Sequence, residues 1–379
     1  MRISTLIVAF ALALSLVSSG AAWGADFERG VEAYRKRDYA TALQEWKPLA
    51  EQGLAEAQHN LGVMYRDGQG VPQSHEMAAR LYRLAAEQGL AEAQFSLGVL
   101  YQFGNGVPQS HEEAVRWFRP AAEQGHAGAQ FGLGSMYASG TGVPQSDEDA
   151  ARWSRLAAEQ GHAGAQVLLS IAYSLGKGVP QNYEEGVRWL RPAAEQGHAD
   201  AQLLLGNAYY FGRGVPRNYE EAVRLYRLAA EQGHADAQAV LGALYYGGEG
   251  VPQNYEEAVR LYRLAAEQWL AVAQFGLGVA YHRGKGAPQN HEEAVRLYRL
   301  AAEQGLAEAQ FNLGGAYYLG EGVLQNYIYA HMWLNLSASR GDEEAAELRD
   351  EIAGEMTSGQ IAEAQRLAAE CLKNDYKGC

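Results

Sequence analysis

Residues 91–125 read AEAQFSLGVLYQFGNGVPQSHEEAVRWFRPAAEQG, and variants of this stretch recur every 36 residues. Eight copies fill residues 54–341, and Leu324 replaces proline at the marker position of the last copy. The marker prolines of the other copies are Pro72, Pro108, Pro144, Pro180, Pro216, Pro252 and Pro288. A fixed period of this length is typical of a solenoid, in which each repeat packs only on its neighbours.

Each copy contains two helix signals. Small and apolar residues recur four apart between residues 93 and 101, on one helical face. Gly104 and Gly106 are expected to end this helix, since glycine adopts the left-handed conformation without a Cβ penalty. Ser110 and Glu113 have the spacing of a capping box, in which each side chain bonds the backbone of the other. The unit is therefore predicted to be an antiparallel helix pair, and the fold class all-α.

The pattern A-x-A-Q-x-x-L-G-x-x-Y-x-x-G-x-G-V-P-Q resembles the Sel-one-like repeat (SLR), a relative of the tetratricopeptide repeat. The resemblance implies a right-handed superhelical α-solenoid whose first helices line a concave, protein-binding surface. A cysteine-rich branch of such proteins, with a cysteine pair in each repeat, is linked to β-lactams. This chain lacks those cysteines, so a β-lactam hydrolase-like activity is the least favoured function.

The ends of the chain differ from the repeats. Residues 1–25 predict a secretory signal peptide, because a basic residue precedes an apolar run and a small-residue segment. Residues 26–53 are similar to a shortened tetratricopeptide hairpin, and residues 342–379 predict C-terminal capping helices. No other segment approaches about 20 apolar residues, so no membrane span is expected. We therefore expect an exported protein, either periplasmic or secreted.

The net charge limits the class of partner, and the two cysteines raise the question of a disulfide bond. The net charge of −14 makes nucleic acid a poor partner, because a polyanion is repelled. Cys371 and Cys379 are the two cysteines of the chain. They could close a small disulfide loop in an oxidising compartment, and a redox or metal pair is the alternative.

Comparison of the copies separates a constant face of the first helix from a variable one. The positions equivalent to Asn60, Val63, Arg66 and Asp67 change freely, and they lie three to four residues apart on one stripe. Given the resemblance, this stripe is expected to form the groove floor, with aromatic side chains as binding anchors. The alternative is that its tyrosines pack on the adjacent glycine loop. The candidate contact residues on the stripe are Arg66, Phe103, Tyr210, Phe211, Tyr246, His282, Arg283 and Tyr318.

Trp269 is a further candidate contact residue, because it stands where other copies have the turn glycine. A bulky residue is disfavoured at positive φ, so the turn is expected to differ locally. The substitution also predicts an exposed apolar patch, which is typical of contact sites. Drift in a redundant array explains the substitution equally well.

No catalytic, cofactor or metal constellation is predicted. His126, His162, His198 and His234 recur at one turn position. Copies about 10 Å apart could not share a zinc ion with bonds of about 2 Å. We therefore expect a non-enzymatic adaptor without a cofactor, which binds a protein or peptide on its concave surface in the bacterial cell envelope. A secreted effector and a peptidoglycan-associated factor are the alternatives.

Overall fold

In the computed structural model, which describes residues 25–379, every regular element is an α-helix, so the all-α prediction is confirmed. The predicted signal peptide lies outside the described residues, apart from Ala25. The helices of the described residues are α1 (Phe27–Arg35), α2 (Tyr39–Glu51), α3 (Ala55–Asp67), α4 (His75–Glu87), α5 (Ala91–Phe103), α6 (His111–Glu123), α7 (Ala127–Ser139), α8 (Asp147–Glu159), α9 (Ala163–Leu175), α10 (Tyr183–Glu195), α11 (Ala199–Phe211), α12 (Tyr219–Glu231), α13 (Ala235–Gly247), α14 (Tyr255–Glu267), α15 (Ala271–Arg283), α16 (His291–Ala302), α17 (Ala307–Leu319), α18 (Tyr327–Ala338), α19 (Glu343–Glu355) and α20 (Ser358–Lys373).

The chain divides into two compact units, and the division falls between Asn182 and Tyr183. The first unit contains α1 to α9, and the second contains α10 to α20. Within each unit the helices pack as successive antiparallel pairs, as an α-solenoid requires. Among the described residues, no helix is both long enough and apolar enough to cross a membrane.

Each helix of the repeat is bounded by capping residues. Helix α5 ends at Gly104, which has φ 73° and donates its N–H to the Leu100 carbonyl. At the start of α6, the Ser110 hydroxyl accepts a hydrogen bond from the Glu113 N–H. The Glu113 carboxylate accepts from Arg116 at 3.3 Å. Only half of the predicted capping box therefore forms, because the arginine one turn later competes for the carboxylate.

A recurring glutamine joins one helix pair to the next. The buried Gln94 donates its side-chain N–H to the Ala86 carbonyl in the preceding pair. Its amide oxygen accepts from Gln124, 30 residues further on, at 2.8 Å. The same two bonds recur at Gln58. A buried amide without partners would be costly, so these bonds also fix the register of stacking.

At three of its four positions, the histidine of the turn caps the following helix. The Nδ1 atom of His126 accepts from the Ala129 N–H at 3.2 Å, and its ring stacks on Phe95 at 4.5 Å. His162 makes the same cap to Ala165. These rings therefore satisfy backbone donors at helix N-termini.

The turn at Trp269 keeps the conformation of the glycine turns. Trp269 has φ 64°, in the left-handed region that Gly233 also occupies at φ 86°. Its N–H donates to the Ala266 carbonyl at 3.0 Å, as in the other copies. The sequence analysis expected this turn to differ locally, and that expectation is wrong. The helix pairs on either side keep the hydrogen bonds of the turn, so the Trp269 backbone stays in the left-handed region despite the strain.

The C-terminal helices enclose a disulfide bond. Cys371 and Cys379 are bonded, with their Cα atoms 5.5 Å apart. Cys371 is buried against Trp333 and Leu336 of α18. The bond therefore ties the last residues of the chain to the end of the second unit.

Candidate functional site

A groove of about 360 Å³ lies between α13 and α15, the first helices of two successive copies. These two helices also contact each other directly. The variable stripe supplies half of the lining: Val240, Ala243 and Tyr246 from α13, and Gly276 and Val279 from α15. The other lining residues are Asp236, Ala239, Tyr262, Val272 and Phe275. The groove is thus apolar, with one carboxylate at its edge.

Gly276 and Tyr262 shape the floor of this groove. A Cβ atom at Gly276 would lie 2.8 Å from the Tyr262 ring, which reaches the floor from α14. The equivalent position holds Leu204 and Val240 in the two preceding copies. Glycine at this position therefore lets the tyrosine ring close the floor and leaves the space above it open.

Tyr246 lines the groove and carries a hydroxyl group that has no hydrogen-bond partner in the part of the chain that the structure describes. Its ring packs edge-on against Tyr255 at 5.1 Å and tilted against Tyr262 at 6.5 Å. Its hydroxyl is buried and has no hydrogen-bond partner within the described residues. Such a group is costly to leave unpaired, and a ligand in the groove could bond it only after the Tyr246 ring turned towards the groove.

The glycine loop of each copy packs against the preceding second helix. A Cβ atom at Gly322 would lie 2.2 Å from the His291 carbonyl oxygen. This contact recurs at Gly286 with Tyr255 and brings the residue between the two loop glycines close to that helix. We use the name node for three positions: the last-turn residue of a first helix, the first residue of its second helix, and the middle loop residue of the next copy.

Two nodes of the second unit combine tyrosines with a charged group. The rings of Tyr210 and Tyr219 are 5.2 Å apart, and the Tyr210 hydroxyl donates to Glu249 Oε2 at 2.5 Å. This hydrogen bond to the carboxylate raises the pKa of Tyr210. In the next node, Lys285 lies 4.9 Å from the centre of the Tyr255 ring.

The third node combines two imidazoles and a carboxylate. The rings of His282 and His291 are 5.0 Å apart, and each Nδ1 atom lies 3.9 Å from Glu321 Oε2. Sequence reasoning missed this group because its members belong to two copies. The sequence signal is the spacing, with 9 residues from the first member to the second and 30 from the second to the third. Tyr246, Tyr255 and Lys285 have the same spacing.

The other aromatic candidates of the stripe make contacts within the chain. The Tyr318 hydroxyl donates to Glu355 at 3.3 Å, and its ring lies 5.6 Å from Tyr327. Phe211 is exposed and has Arg213 over its ring at 5.1 Å. The hydroxyls of Tyr210 and Tyr318 are thus bonded within the chain, whereas the hydroxyl of Tyr246 is left unbonded within the described residues.

The remaining candidates are not among the residues that line this groove. Arg66 and Phe103 belong to the first unit, where Arg66 makes a two-point ion pair with Asp67 at 2.7 and 2.9 Å. Phe103 is 63% exposed at the end of α5, and Arg283 is exposed at the end of α15. These residues do not join the groove lining.

Trp269 borders a different pocket, of about 400 Å³, formed largely by the second helices α14 and α16. Its side chain is 69% exposed. Arg263, Glu293 and Arg296 also line this pocket, which is therefore more polar than the groove. Trp269 thus lies on a different surface of the second unit from the groove.

Comparisons with known proteins agree with the helix-pair architecture. The sequence profile of the Sel1 repeat matches residues 55–90, 91–126, 127–162, 163–198, 199–234, 235–268, 271–306 and 307–342. The match leaves out Trp269 and Leu270. No curated protein matches the chain.

Two solved structures are similar to the chain. One is a protective antigen present in uropathogenic Escherichia coli strains, displaying an SLR fold, with 31% identity and a TM-score of 0.51. The similarity covers 92% of each of the two chains. The other is a Sel1 repeat protein from Oxalobacter formigenes, with 34% identity and a TM-score of 0.59, covering 62% of this chain and 94% of that one.

Proposed function

We propose that this chain, which belongs to the Sel1 repeat family, a non-enzymatic scaffold fold whose repeats mediate protein–protein interaction, acts as an adaptor and is exported. Its partner is a protein or peptide that binds in the groove between α13 and α15. This groove lies on the first-helix face that the sequence predicts as the concave side. A regulatory role in the bacterial cell envelope is the function we favour.

The observation that carries this proposal is the apolar groove with the unpaired Tyr246 hydroxyl. An apolar side chain of a partner would fill the space above Gly276 and gain about 25 cal/mol for each Å² of apolar surface that it buries. Once the Tyr246 ring turned towards the groove, a backbone or side-chain polar group of the same partner would satisfy the hydroxyl. This pairing favours a peptide segment over a purely apolar ligand.

Two observations support export. Residues 1–25 have the composition of a secretory signal peptide, and the bonded Cys371–Cys379 pair is typical of oxidising compartments. We favour the periplasm and keep secretion as the alternative.

Cell fractionation with mass spectrometry of the N-terminus tests export. We expect a mature chain that starts near residue 25, recovered from the periplasmic fraction. Recovery in the culture medium would favour the secreted alternative. A cytoplasmic chain that retains Met1 would contradict export.

Site-specific photocrosslinking tests the groove. A photoreactive residue in place of Ala243, an exposed position of the groove lining, should form a discrete adduct with the partner in cells. The matched control is the same residue in place of Leu264, which is 37% exposed on a second helix. Adducts of equal yield at both positions, or at neither, would contradict binding in the groove.

A charge-insertion variant gives an independent test. Ala243→Glu should reduce recovery of the crosslinked partner at least tenfold, because the carboxylate would be desolvated in an apolar groove. Leu264→Glu inserts the same charge outside the groove and should leave recovery unchanged. A partner that binds both variants equally well would exclude the groove as its site.

A further inference from the structure

We propose that His282, His291 and Glu321 form a zinc-binding site that joins the seventh and eighth copies. The inference is independent of the proposed adaptor function. One nitrogen or oxygen ligand atom from each of the three residues lies within 4.8 Å of the others. Among the described residues, no other group of three histidine, cysteine or acidic side chains has this geometry.

Backbone packing, and not interactions among the three side chains, brings these residues together. His282 lies in the last turn of α15, and His291 is the first residue of α16. Glu321 lies between Gly320 and Gly322, and Gly322 packs against the His291 backbone too closely for a Cβ atom. This packing recurs along the repeat, so the position of the node is set by the stacking of the copies.

The ligand atoms need only a small movement to bind an ion. Each histidine Nδ1 lies 3.9 Å from Glu321 Oε2. Tetrahedral zinc with bonds of about 2 Å places its ligands roughly 3.4 Å apart, so side-chain rotation suffices. The Nδ1 atom of His291 is buried and has no hydrogen-bond partner within the described residues. In the neutral tautomer that carries its proton on Nε2, this atom would present its lone pair to an ion.

The donor set matches the chemistry of zinc. Two imidazoles and one carboxylate are ligands that Zn²⁺ accepts, and water can complete the tetrahedron. The side chains of His282, His291 and Glu321 are 41%, 36% and 43% exposed, so the group lies at the surface. Rotation of the His291 ring would expose its buried Nδ1 atom to an ion. The carboxylate and the ion would neutralise each other in part.

Equivalent nodes show why the site is confined to the junction of the seventh and eighth copies. His75 and His111 occupy the position of His291, and their Nδ1 atoms are likewise buried and unbonded. The other members of the His111 node are Gln102 and Thr141, which lack strong zinc ligands. The backbone position therefore orients the ring, and only at this junction do the seventh copy (His282) and the eighth copy (Glu321) supply the other two ligands. His111 is the matched control.

Zinc titration of the purified, tag-free mature chain tests the proposal. Competition with a chromogenic chelator should show one Zn²⁺ per chain. We expect His291→Ala and Glu321→Gln each to weaken this affinity at least tenfold, and His111→Ala to leave it unchanged. Co²⁺ substitution should give visible absorption bands of a tetrahedral site, and these bands should be lost in His282→Ala.

Folding is checked separately, so that loss of binding is not confused with unfolding. The far-UV circular dichroism spectrum and the thermal midpoint without metal should be the same in Glu321→Gln and the unmodified chain, since this side chain is partly exposed. Absence of zinc binding to the folded, unmodified chain would overturn the proposal. Binding that persists in His282→Ala, His291→Ala and Glu321→Gln would overturn it as well.

Discussion

Trp269 shows how a single residue can be strained by an array that surrounds it. Its backbone is held at φ 64° by the same turn bonds that glycine makes in the other copies. A left-handed conformation costs a residue with a side chain roughly 1–2 kcal/mol. The strain persists because both neighbouring helix pairs fix the turn, and such strain is often found at functional positions.

We predict that Trp269→Gly stabilises the chain by about 1 kcal/mol, because glycine accepts this φ without a Cβ clash. Urea unfolding of the purified chain measures the change. Gly233→Ala is the matched control at the equivalent turn, where a Cβ atom would meet nothing within 4 Å. It should destabilise by about 1 kcal/mol through the backbone alone. Trp269→Gly without a gain would mean that contacts of the indole offset the strain.

At the scale of the helix, neighbouring glycines of α17 have opposite roles. A Cβ atom at Gly314 would lie 2.7 Å from Leu334 Cγ and 3.2 Å from the Ala330 carbonyl oxygen. A Cβ atom at Gly315 would meet no atom within 4 Å. The first glycine is thus required for the approach of α18, whereas the second lies in open space.

We predict that Gly314→Ala destabilises the second unit by about 1–3 kcal/mol, since the extra methyl overpacks the contact with α18. Gly315→Ala should instead stabilise it by up to about 1 kcal/mol, because alanine is the better helix former. Thermal unfolding followed by circular dichroism separates the two. Equal effects of both substitutions would contradict the close packing of α17 and α18 at Gly314.

The elements also show what a repeat sequence can predict. The period predicted the helix pair and its glycine stop at Gly104, because both depend on local residue preferences. The variable stripe indicated positions that line the groove, such as Val240 and Val279. The node of His291 and Glu321 was not predicted, because residues 30 apart meet only after the copies stack. The Trp269 turn was mispredicted because neighbouring helices override local preference.

At the scale of the whole molecule, the two units differ in their buried tyrosines. Tyr82 is the buried tyrosine of the described part of the first unit, and Tyr226, Tyr262 and Tyr298 are those of the second. Burial raises the pKa of Tyr82 and of Tyr262 to about 12, and raises the pKa of Tyr226 and of Tyr298 as well. The ionised form is disfavoured in each case because it would lose its hydration.

We predict that alkaline pH weakens the second unit more than the first. Above pH 10 the unfolded chain releases tyrosine protons that the folded chain retains. The unfolded state then binds fewer protons, so the free energy of unfolding falls by about 1.4 kcal/mol per pH unit for each buried tyrosine. Three such residues in the second unit give a fall about three times that of the first. Limited proteolysis at pH 11, with the fragments identified by mass spectrometry, should show the first cleavages after residue 183.

Tyrosine-to-phenylalanine variants identify the cause of this pH dependence. Tyr262→Phe combined with Tyr298→Phe removes two titrating hydroxyls and should reduce the fall in unfolding free energy between pH 9 and pH 11 by about 2–3 kcal/mol. Tyr82→Phe should reduce it by about half as much and should leave the early cleavages in the second unit in place. If the double variant lost stability as steeply as the unmodified chain, ionisation of the buried tyrosines would not drive alkaline unfolding. The difference between the units would then have to come from helix packing, which phenylalanine preserves.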